Sequence, residues 1–266
     1  MKTDEYVRAN HEMWNQTADV YRAEGSTKLL AEVGKADFTT FDETERRVFA
    51  AIGVAGKDVA QLGCNNAREL ISVKKAGAKR CVGFDLSEKM LEQGRQLSAA
   101  SGQTLELVCE SVYNIGTSHT NGFDVVYVTV GVLGWLPDLP NFFGVVERLL
   151  RPGGQLFLYD QHPMLGMFDP DKVLEIDSSY FRLEPFVNEA LPDYMDPAQT
   201  GHAESYWFQH TLSSIIGLCL QLGLHVTHFE EHEHDLSNTY RAFQDYEHKP
   251  PLSYSLVAKK NSETGG

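Results

Sequence analysis

The sequence predicts an α/β fold in which helices cover both faces of a doubly wound, seven-stranded sheet. From residue 58 onward, short apolar runs alternate with amphipathic stretches. The apolar runs are almost continuous, which is typical of parallel strands that are buried on both sides. The seven predicted strands are 59–63, 80–85, 105–110, 124–130, 155–160, 224–229 and 253–258.

Helices are predicted between these strands at 68–75, 88–100, 139–149 and 206–222. Ser87 is placed to cap the second of them, because a serine side chain accepts from free backbone N–H groups at a helix start. Pro152 and the two glycines after it end the third, since neither residue type continues a helix. The first 50 residues also have a helical pattern, with Trp14, Ala18 and Tyr21 on one face.

The regular alternation stops after His162 and Pro163. Residues 164–205 are rich in proline, acidic and aromatic residues and have no clear period, which is typical of a lid or an inserted subdomain. The predicted segments are an N-terminal helical cap (1–56), a ligand-binding core (57–162), a substrate-side insertion or lid (163–205), the completion of the core (206–260) and a disordered tail (261–266).

Composition narrows the class of protein. The chain has 266 residues, of which 42% are hydrophobic, and a formal net charge of −14. The hydrophobic fraction excludes disorder, and no apolar run approaches the roughly 20 residues that span a bilayer. An acidic protein repels phosphate backbones, so a small-molecule substrate is expected and nucleic acid is not.

The N-terminus and the cysteines indicate a cytoplasmic protein. Residues 1–9 are charged and polar and lack the apolar stretch of a signal peptide. The four cysteines are scattered, without a CxxC pair, which favours reduced packing residues over a disulfide framework. No membrane partner is expected, and the sequence leaves a monomer and a homodimer open.

The loops after the strands are the expected ligand site, because open parallel sheets bind ligands beyond the carboxyl ends of their strands. Gly63 ends the first strand and lets the backbone pass close beneath a ligand. Asp85 ends the second strand, and its carboxylate can accept two hydrogen bonds from a ribose diol. Helix capping is the alternative for Asp85, but Ser87 suits that role better.

The motifs around these residues resemble those of the class I S-adenosylmethionine (SAM)-dependent methyltransferases, over residues 56–160. The first motif is Gln-Leu-Gly-Cys-Asn-Asn-Ala (61–67), and the second is Phe-Asp-Leu-Ser-Glu-Lys-Met-Leu (84–91). The string Leu-Leu-Arg-Pro-Gly-Gly (149–154) precedes the fifth strand, as in that family. The resemblance implies a Rossmann-like sheet with an antiparallel last strand, SAM as the cofactor, and methyl transfer to a nitrogen or oxygen of a small molecule.

The first motif keeps one of the three glycines that the family usually has. Asn65 is expected to make the same turn, because asparagine tolerates positive φ better than most residues. Ala67 is small enough for a close helix approach. Gln61 replaces the family's acid near the amino group of SAM and can still accept its hydrogen bond, while Glu69 is a possible substitute acid.

The resemblance assigns further side chains to the cofactor. Leu86 and Met90 are expected to flank the adenine. Glu110 and Ser111 both fall near the family's adenine-contacting acid, and the sequence does not decide between them. The predicted cofactor site comprises Gln61, Gly63, Asn65, Asp85, Leu86, Met90, Glu110, Ser111, Val112 and Thr129.

Two histidines are candidates for a general base, which methyl transfer needs only when the acceptor must lose a proton. His162 closes the fifth strand at the ligand edge, and an imidazole titrates near neutral pH. A turn cap or a packing residue before Pro163 is the alternative for His162. His210 lies in the predicted helix 206–222 and is either a pocket residue or a structural one.

Aromatic residues are the candidates for binding the acceptor. Trp135 follows the fourth strand at the ligand edge. Tyr21 and Trp14 lie on the N-terminal segment, which in this family often folds over the cofactor; a core stripe is the alternative. Tyr206 belongs to the stretch Tyr-Trp-Phe-Gln-His (206–210), which is similar to a bacterial subgroup of the family.

Other functions remain open at this point. The spacing between Gly63 and Asp85 also suits an NAD-dependent oxidoreductase, but the loop lacks G-x-G-x-x-G. A degenerate SAM-binding regulatory protein would explain the missing glycines, whereas the aromatic-rich insertion favours an active enzyme. The acidic run 230–235 contains His232 and His234, which lack zinc-motif spacing, so a solvated connector without metal is expected.

Overall fold

A computed structural model describes residues 2–21, 26–170, 172–190, 202–237 and 239–262. For Tyr21, Ser26, Thr27 and His202 it describes the backbone alone. Most of the predicted tail, residues 263–266, lies outside this part of the chain.

Seven strands form the central sheet. In chain order, the strands of the described residues are β1 (Asp58–Leu62), β2 (Arg80–Asp85), β3 (Glu106–Cys109), β4 (Phe123–Val128), β5 (Leu150–Gln161), β6 (Phe186–Ala190), β7 (His202–Trp207), β8 (Leu224–His232) and β9 (Ser253–Lys260). The central sheet has the order β3-β2-β1-β4-β5-β9-β8. Its first five strands are parallel, and β9 is antiparallel to both of its neighbours. The predicted seven-stranded, mostly parallel sheet with an antiparallel last strand is confirmed.

Helices pack on both faces of this sheet. They are α1 (Lys2–Tyr21), α2 (Ser26–Val33), α3 (Glu43–Ile52), α4 (Arg68–Lys75), α5 (Glu88–Ser101), α6 (Leu139–Leu149), α7 (Leu212–Gln221) and α8 (Arg241–Gln244). Ser87 caps α5 by accepting from the backbone N–H of Met90, as predicted. Asp42 and Glu45 form a capping box at the start of α3, in which each side chain accepts from the other's backbone N–H. None of the described helices is both long and apolar enough to cross a membrane.

The alternation of side chains along β1 divides the core into two layers. Ala60 and Leu62 point to one face, where they pack in a buried cluster that includes apolar residues of α6 and α7. Val59 points to the other face, toward α3 and α4. All three side chains are fully buried.

The insertion contains a small antiparallel sheet of β6 and β7, with Phe186 opposite Trp207 and Asn188 opposite Ser205. The predicted helix 206–222 is therefore wrong at its start. Tyr206 and Trp207 end β7, and the helix begins only after Thr211, whose side chain caps α7. Aromatic residues favour strands, and pairing with β6 here outweighs the apolar pattern that the stretch shares with α7. The predicted segment boundary between residues 205 and 206 falls inside β7.

The predicted acidic connector is also shorter than expected. Glu230, Glu231 and His232 continue β8, paired with the first residues of β9. His232 is buried, and its Nε2 lies 3.0 Å from the Ser255 hydroxyl. Pairing with β9 thus extends the strand beyond the apolar run from which it was predicted.

Candidate active site

A large cleft opens at the carboxyl ends of β1, β2, β4 and β5, where open parallel sheets are expected to bind their ligands. Its volume is about 1160 Å³. Typical pockets for one small molecule measure roughly 300–1,000 Å³. The cleft therefore has room for two small molecules side by side, and its two halves differ in chemistry.

Asp85 organises the first half, which we call the cofactor half. One of its carboxylate oxygens accepts from the backbone N–H of Asn65 at 2.7 Å, and the other accepts from that of Ser87 at 2.9 Å. Asn65 and Ala67 adopt left-handed conformations, with φ of 51° and 58°. The loop thus makes the glycine-type turn with other residues, as expected for Asn65. Each oxygen of Asp85 keeps a lone pair for a further donor.

Gly63 lies against the loop that follows β4. A Cβ atom at this position would stand 2.8 Å from a methyl carbon of Val132, and the residue has a φ of 65°. Both facts require glycine here. The surviving glycine of the first motif therefore lets two ligand-edge loops meet.

Gln61 is completely buried beneath the cofactor half and is not part of its wall. Its amide nitrogen lies 3.5 Å from the Thr129 hydroxyl, and its Oε1 has no hydrogen-bond partner within the described residues. Thr129 itself lines the cleft. Glu69 also lines it and pairs with Arg68 at 2.6 Å. An orphaned buried acceptor is thus present near the position where the sequence predicts contact with an amino group.

The other predicted cofactor residues separate into two groups. Leu86, Ser111 and Val112 line the cleft. Met90 is buried in the protein, and the cleft wall includes Ser111 and not Glu110. Of the two alternatives for the adenine contact, Ser111 is the one that the fold brings to the site.

Helix α1 forms the wall opposite the sheet. His11 and Asn15 each hydrogen-bond one carboxylate oxygen of Glu88, at 2.7 and 2.9 Å. Asn15 also accepts from the Ser87 hydroxyl at 2.6 Å. Through these contacts α1 is fastened to the start of α5, while His11 and Trp14 line the cleft.

Asn10 fastens the same helix to the insertion. Its amide oxygen accepts from the backbone N–H of Tyr206 at 2.8 Å, and its amide nitrogen donates to the carbonyl of Tyr206 at 2.9 Å. The side chain thus pairs with β7 as a neighbouring strand would. Helix α1 is therefore fastened both to the start of α5 and to the end of β7.

All three tryptophans of the chain line the cleft. The rings of Trp14 and Trp135 meet edge to face with centroids 5.6 Å apart, and Trp135 meets Trp207 in the same way at 4.9 Å. Trp135 is predicted to bind the methyl acceptor, whereas Trp207 is noted in the sequence only as part of the stretch 206–210. These rings lead from the cofactor half into the second half of the cleft, which is lined by Asp160, His162 and Tyr254. We call this second half the acceptor half.

His162 lies at the cleft with both ring nitrogens engaged. Nδ1 accepts from the backbone N–H of Met164 at 3.1 Å, which caps a short helical turn, and Nε2 lies 2.9 Å from a carboxylate oxygen of Glu231. Burial lowers the pKa of His162 against the opposing effect of Glu231. The capping role that sequence reasoning kept as an alternative is present, and the catalytic role stays a prediction.

His210 lies in the loop before α7 and not within a helix, which corrects its predicted placement. Its Nε2 donates to the carbonyl of Leu136 at 2.9 Å, and the residue lines the cleft. Burial lowers its pKa, so the ring is neutral at pH 7. With Nε2–H as the donor, Nδ1 is the nitrogen that carries the lone pair.

Asp160 and Tyr254 also line the acceptor half, and sequence reasoning did not single them out. Asp160 closes β5 and accepts from the backbone N–H groups of Gly131, at 2.6 Å, and Gln161, at 2.8 Å. Burial raises its pKa to about 7. Tyr254 is its direct neighbour on β9. The strand-end rule that identifies Asp85 applies equally to Asp160.

One predicted substrate residue, Tyr206, does not reach the described cleft wall. Tyr206 lies on the outer face of β7, where its ring packs on Tyr6 with centroids 4.5 Å apart. The alternation along the strand turns its neighbour Trp207 inward instead. The side chain of Tyr21 lies outside the described residues.

Metal-ligand chemistry is not evident in the described part of the chain. No group of three or more potential ligands from His, Cys, Asp and Glu is found there. The rings of His232 and His234 stack with centroids 5.1 Å apart. The four cysteines are free, and all but Cys109 are buried.

Comparisons with known proteins agree with this architecture. Residues 60–158 match the model of a protein family described as methyltransferase domain. A ubiquinone biosynthesis O-methyltransferase of Aromatoleum aromaticum is 35% identical over 105 residues, which are 40% of this chain and 44% of that protein. The chain thus aligns with less than half of that relative's length. An uncharacterized protein of Haemophilus influenzae is 25% identical over 218 residues, or 77% of this chain and 82% of that protein.

Solved structures have the same fold. A SAM-dependent methyltransferase from Mesorhizobium loti matches with a TM-score of 0.55 and 19% identity, over 80% of this chain and 97% of that one. The 1,6-didemethyltoxoflavin-N1-methyltransferase of Burkholderia thailandensis, with its substrate and S-adenosylhomocysteine bound, matches with a TM-score of 0.57 and 13% identity. That alignment covers 98% of this chain and 91% of the other. At these identities the likeness concerns the fold.

Proposed function

We propose that this chain, whose residues 60–158 form a class I SAM-dependent methyltransferase domain, is an enzyme that transfers a methyl group from SAM to a small molecule. The main support is the loop after β1, which Asp85 holds in a ligand-binding turn although two of the usual glycines are missing. The acceptor atom is a nitrogen or oxygen. The protein acts as a monomer or homodimer in the cytoplasm, without nucleic acid or membrane partners.

The residues of the cofactor half fit SAM. Asp85 has acceptor capacity left for the ribose hydroxyls, and Ser111 and Leu86 line the region expected for the adenine. Glu69 lines the cleft and offers a carboxylate to the amino group, whereas Gln61 lies buried beneath the wall behind Thr129. When bound, SAM supplies an electrophilic methyl group on a sulfonium and leaves as S-adenosylhomocysteine.

Positioning and exclusion of water are the main tasks of the protein in this reaction. Aligning an acceptor with the methyl carbon removes much of the entropic barrier to displacement, and a dry site prevents competing contacts. Helix α1 and the tryptophans Trp14, Trp135 and Trp207 enclose the cleft. They are the residues that we assign to these tasks.

His210 is the better of the two histidine candidates for taking a proton from the acceptor. A base needs a free lone pair at the operating pH. In His162 the lone pair of Nδ1 already accepts from Met164, whereas the backbone groups that His210 contacts are the carbonyls of Leu136 and Leu133, which accept hydrogen bonds and occupy no lone pair of the ring. We therefore propose that Nδ1 of His210 takes the proton from the methyl acceptor. His162 has a positioning role.

Thermal unfolding with SAM, S-adenosylhomocysteine and NAD in separate samples tests this function. A ligand that binds only the folded state stabilises it by about 2.7 kcal/mol at a hundredfold excess over its Kd. We expect both sulfur ligands to raise the Tm, and NAD to leave it unchanged. A shift with NAD alone would establish an oxidoreductase instead, and the absence of any shift with SAM or S-adenosylhomocysteine would overturn the proposal.

A further inference from the structure

Two buried hydroxyl groups at the cleft lack hydrogen-bond partners within the described residues. They are Oη of Tyr254 and Oγ of Ser205, and each residue is 1% exposed. Both residues line the cleft. A buried polar group without a partner costs roughly 1–3 kcal/mol, so such groups usually have a partner that is a ligand or water.

The two hydroxyls belong to the acceptor half. Tyr254 is the register partner of Asp160 at the end of β5, and its ring centroid lies 6.1 Å from that of His162. Ser205 is two residues before Trp207 on β7, so both side chains face the cleft from the same side of that strand.

The acceptor half offers little positive charge to a ligand. Asp160 is a buried carboxyl group, and Glu231 lies behind His162. Among the described residues that line the acceptor half, the one side chain with a permanent positive charge is Arg241, which is exposed. An anionic acceptor would keep the Asp160 carboxyl group protonated and would meet no buried cation among the described lining residues.

The shape of this half favours a flat molecule. The indole of Trp207 forms one wall together with Trp135, and aromatic walls bind planar rings through stacked or edge-to-face contacts. The backbone at Gly134 lies so close to Trp207 that the indole has little room to turn away.

We propose that the acceptor half binds a flat molecule without negative charge, packed against Trp207 and hydrogen-bonded by the hydroxyls of Tyr254 and Ser205. This inference rests on the proposed methyltransferase function and names its substrate class. The two hydroxyls recognise polar atoms of the ring system, and the described wall has no buried cation to pair with a carboxylate or phosphate. Tyr254 and Ser205 thereby set acceptor specificity and do not contribute to cofactor binding.

The test uses SAM with a deuterated methyl group and a small-molecule extract of the source cells, separated by ion exchange into anionic and non-anionic fractions. Mass spectrometry then identifies labelled products. We expect labelled, ring-containing products in the non-anionic fraction. Tyr254→Phe and Ser205→Ala are each expected to reduce their yield at least tenfold, while the affinity for S-adenosylhomocysteine changes less than twofold.

Stability provides the control for folding. Because the hydroxyl of Tyr254 has no partner to lose among the described residues, Tyr254→Phe is expected to keep or raise the Tm. The matched control is Tyr246→Phe, at an exposed tyrosine that does not line the cleft, which should retain the full product yield.

The outcomes separate the two proposals. Labelled carboxylates or phosphates, or a yield unaffected by both cleft variants, would overturn the acceptor class while leaving methyl transfer intact. A wild-type protein that binds S-adenosylhomocysteine but labels nothing in any fraction would overturn the small-molecule methyltransferase function itself.

Discussion

The backbone of Gly134 lies directly against the indole ring of Trp207. A Cβ atom at residue 134 would stand 2.2 Å from two ring carbons, and the carbonyl of Gly134 accepts from the backbone N–H of Phe208 at 2.7 Å. The loop after β4 and the end of β7 are thus in contact at a position that admits only glycine. This contact sets where Trp207 stands in the cleft.

Gly134→Ala is therefore expected to displace Trp207 and to lower the stability by about 1–3 kcal/mol, the usual cost of overpacking. Thermal unfolding measures the loss, and quenching of tryptophan fluorescence reports the displaced ring. The matched control is Gly144→Ala in α6, where a Cβ meets nothing within 4 Å. Alanine favours a helix interior by roughly 0.5–1 kcal/mol, so this variant should gain stability. Equal Tm values for both variants would contradict the contact.

Asp85→Asn is expected to weaken the binding of S-adenosylhomocysteine by at least tenfold. The carboxylate accepts from Asn65 and Ser87 with its two oxygens, and an amide has only one acceptor oxygen. The amide nitrogen would face a backbone N–H group, so the loop after β1 would open. Isothermal titration calorimetry measures the affinity. Wild-type affinity in this variant would show that Asp85 does not take part in cofactor binding.

The buried carboxyl group of Glu45 is expected to make the stability of the protein depend on pH. Burial raises its pKa to about 7 from the ordinary 4.5, against the opposing hydrogen bond from Tyr127. The folded state therefore holds this proton more tightly than the unfolded state. Stability is highest below pH 4.5 with respect to this group and falls as the pH rises to 7, by about 3 kcal/mol at most. The pKa of Asp42 is lowered to about 2, so its effect falls outside this window.

Glu45→Gln is the variant that isolates this effect. Glutamine retains the capping box with Asp42, because its amide oxygen accepts the same backbone N–H. Urea unfolding between pH 5 and pH 8 should show a smaller loss of stability for the variant than for the wild type. Asp160, whose pKa is also about 7, contributes to the change of stability with pH in both proteins, so the variant retains part of this change. Identical slopes would mean that Glu45 is ionised in the folded protein at pH 5.

Asn10→Ala is expected to release α1 from β7. The two hydrogen bonds between Asn10 and the backbone of Tyr206 are partly buried, and their loss should cost about 1–3 kcal/mol. Hydrogen exchange should become faster at the backbone N–H of Tyr206. Gln16→Ala, at an exposed position of the same helix, is the control and should leave that exchange rate unchanged. Protection that persists in Asn10→Ala would show that β7 is held by other contacts.

The core elements could be predicted because local sequence is enough to define them. Strand β2 and helices α4 and α6 have the predicted bounds, since their burial and termini follow from nearby apolar and breaker residues. Tyr206 and Trp207 could not be placed in the same way. Their strand exists through pairing with Phe186 and Val187, and no local pattern encodes a partner that distant.

The site residues also fall into those that local sequence identifies and those that it does not. Gly63 and Asp85 follow strands directly, so the strand-end rule finds them, and it could also have found Asp160. Tyr254 and Ser205 lie on strands whose register brings them to the cleft. A shift of one residue would turn both side chains to the opposite face, and the sequence contains no motif that fixes this register.

The row of tryptophans has an evolutionary consequence. Trp135 contacts Trp14 of α1 on one side and Trp207 of β7 on the other. Close-packed rings leave no spare volume, so a change in the size of the middle ring displaces both neighbours. Substitutions along this row are therefore non-additive. A descendant of this protein that binds a differently shaped methyl acceptor must acquire compensating pairs of changes, one of them on helix α1.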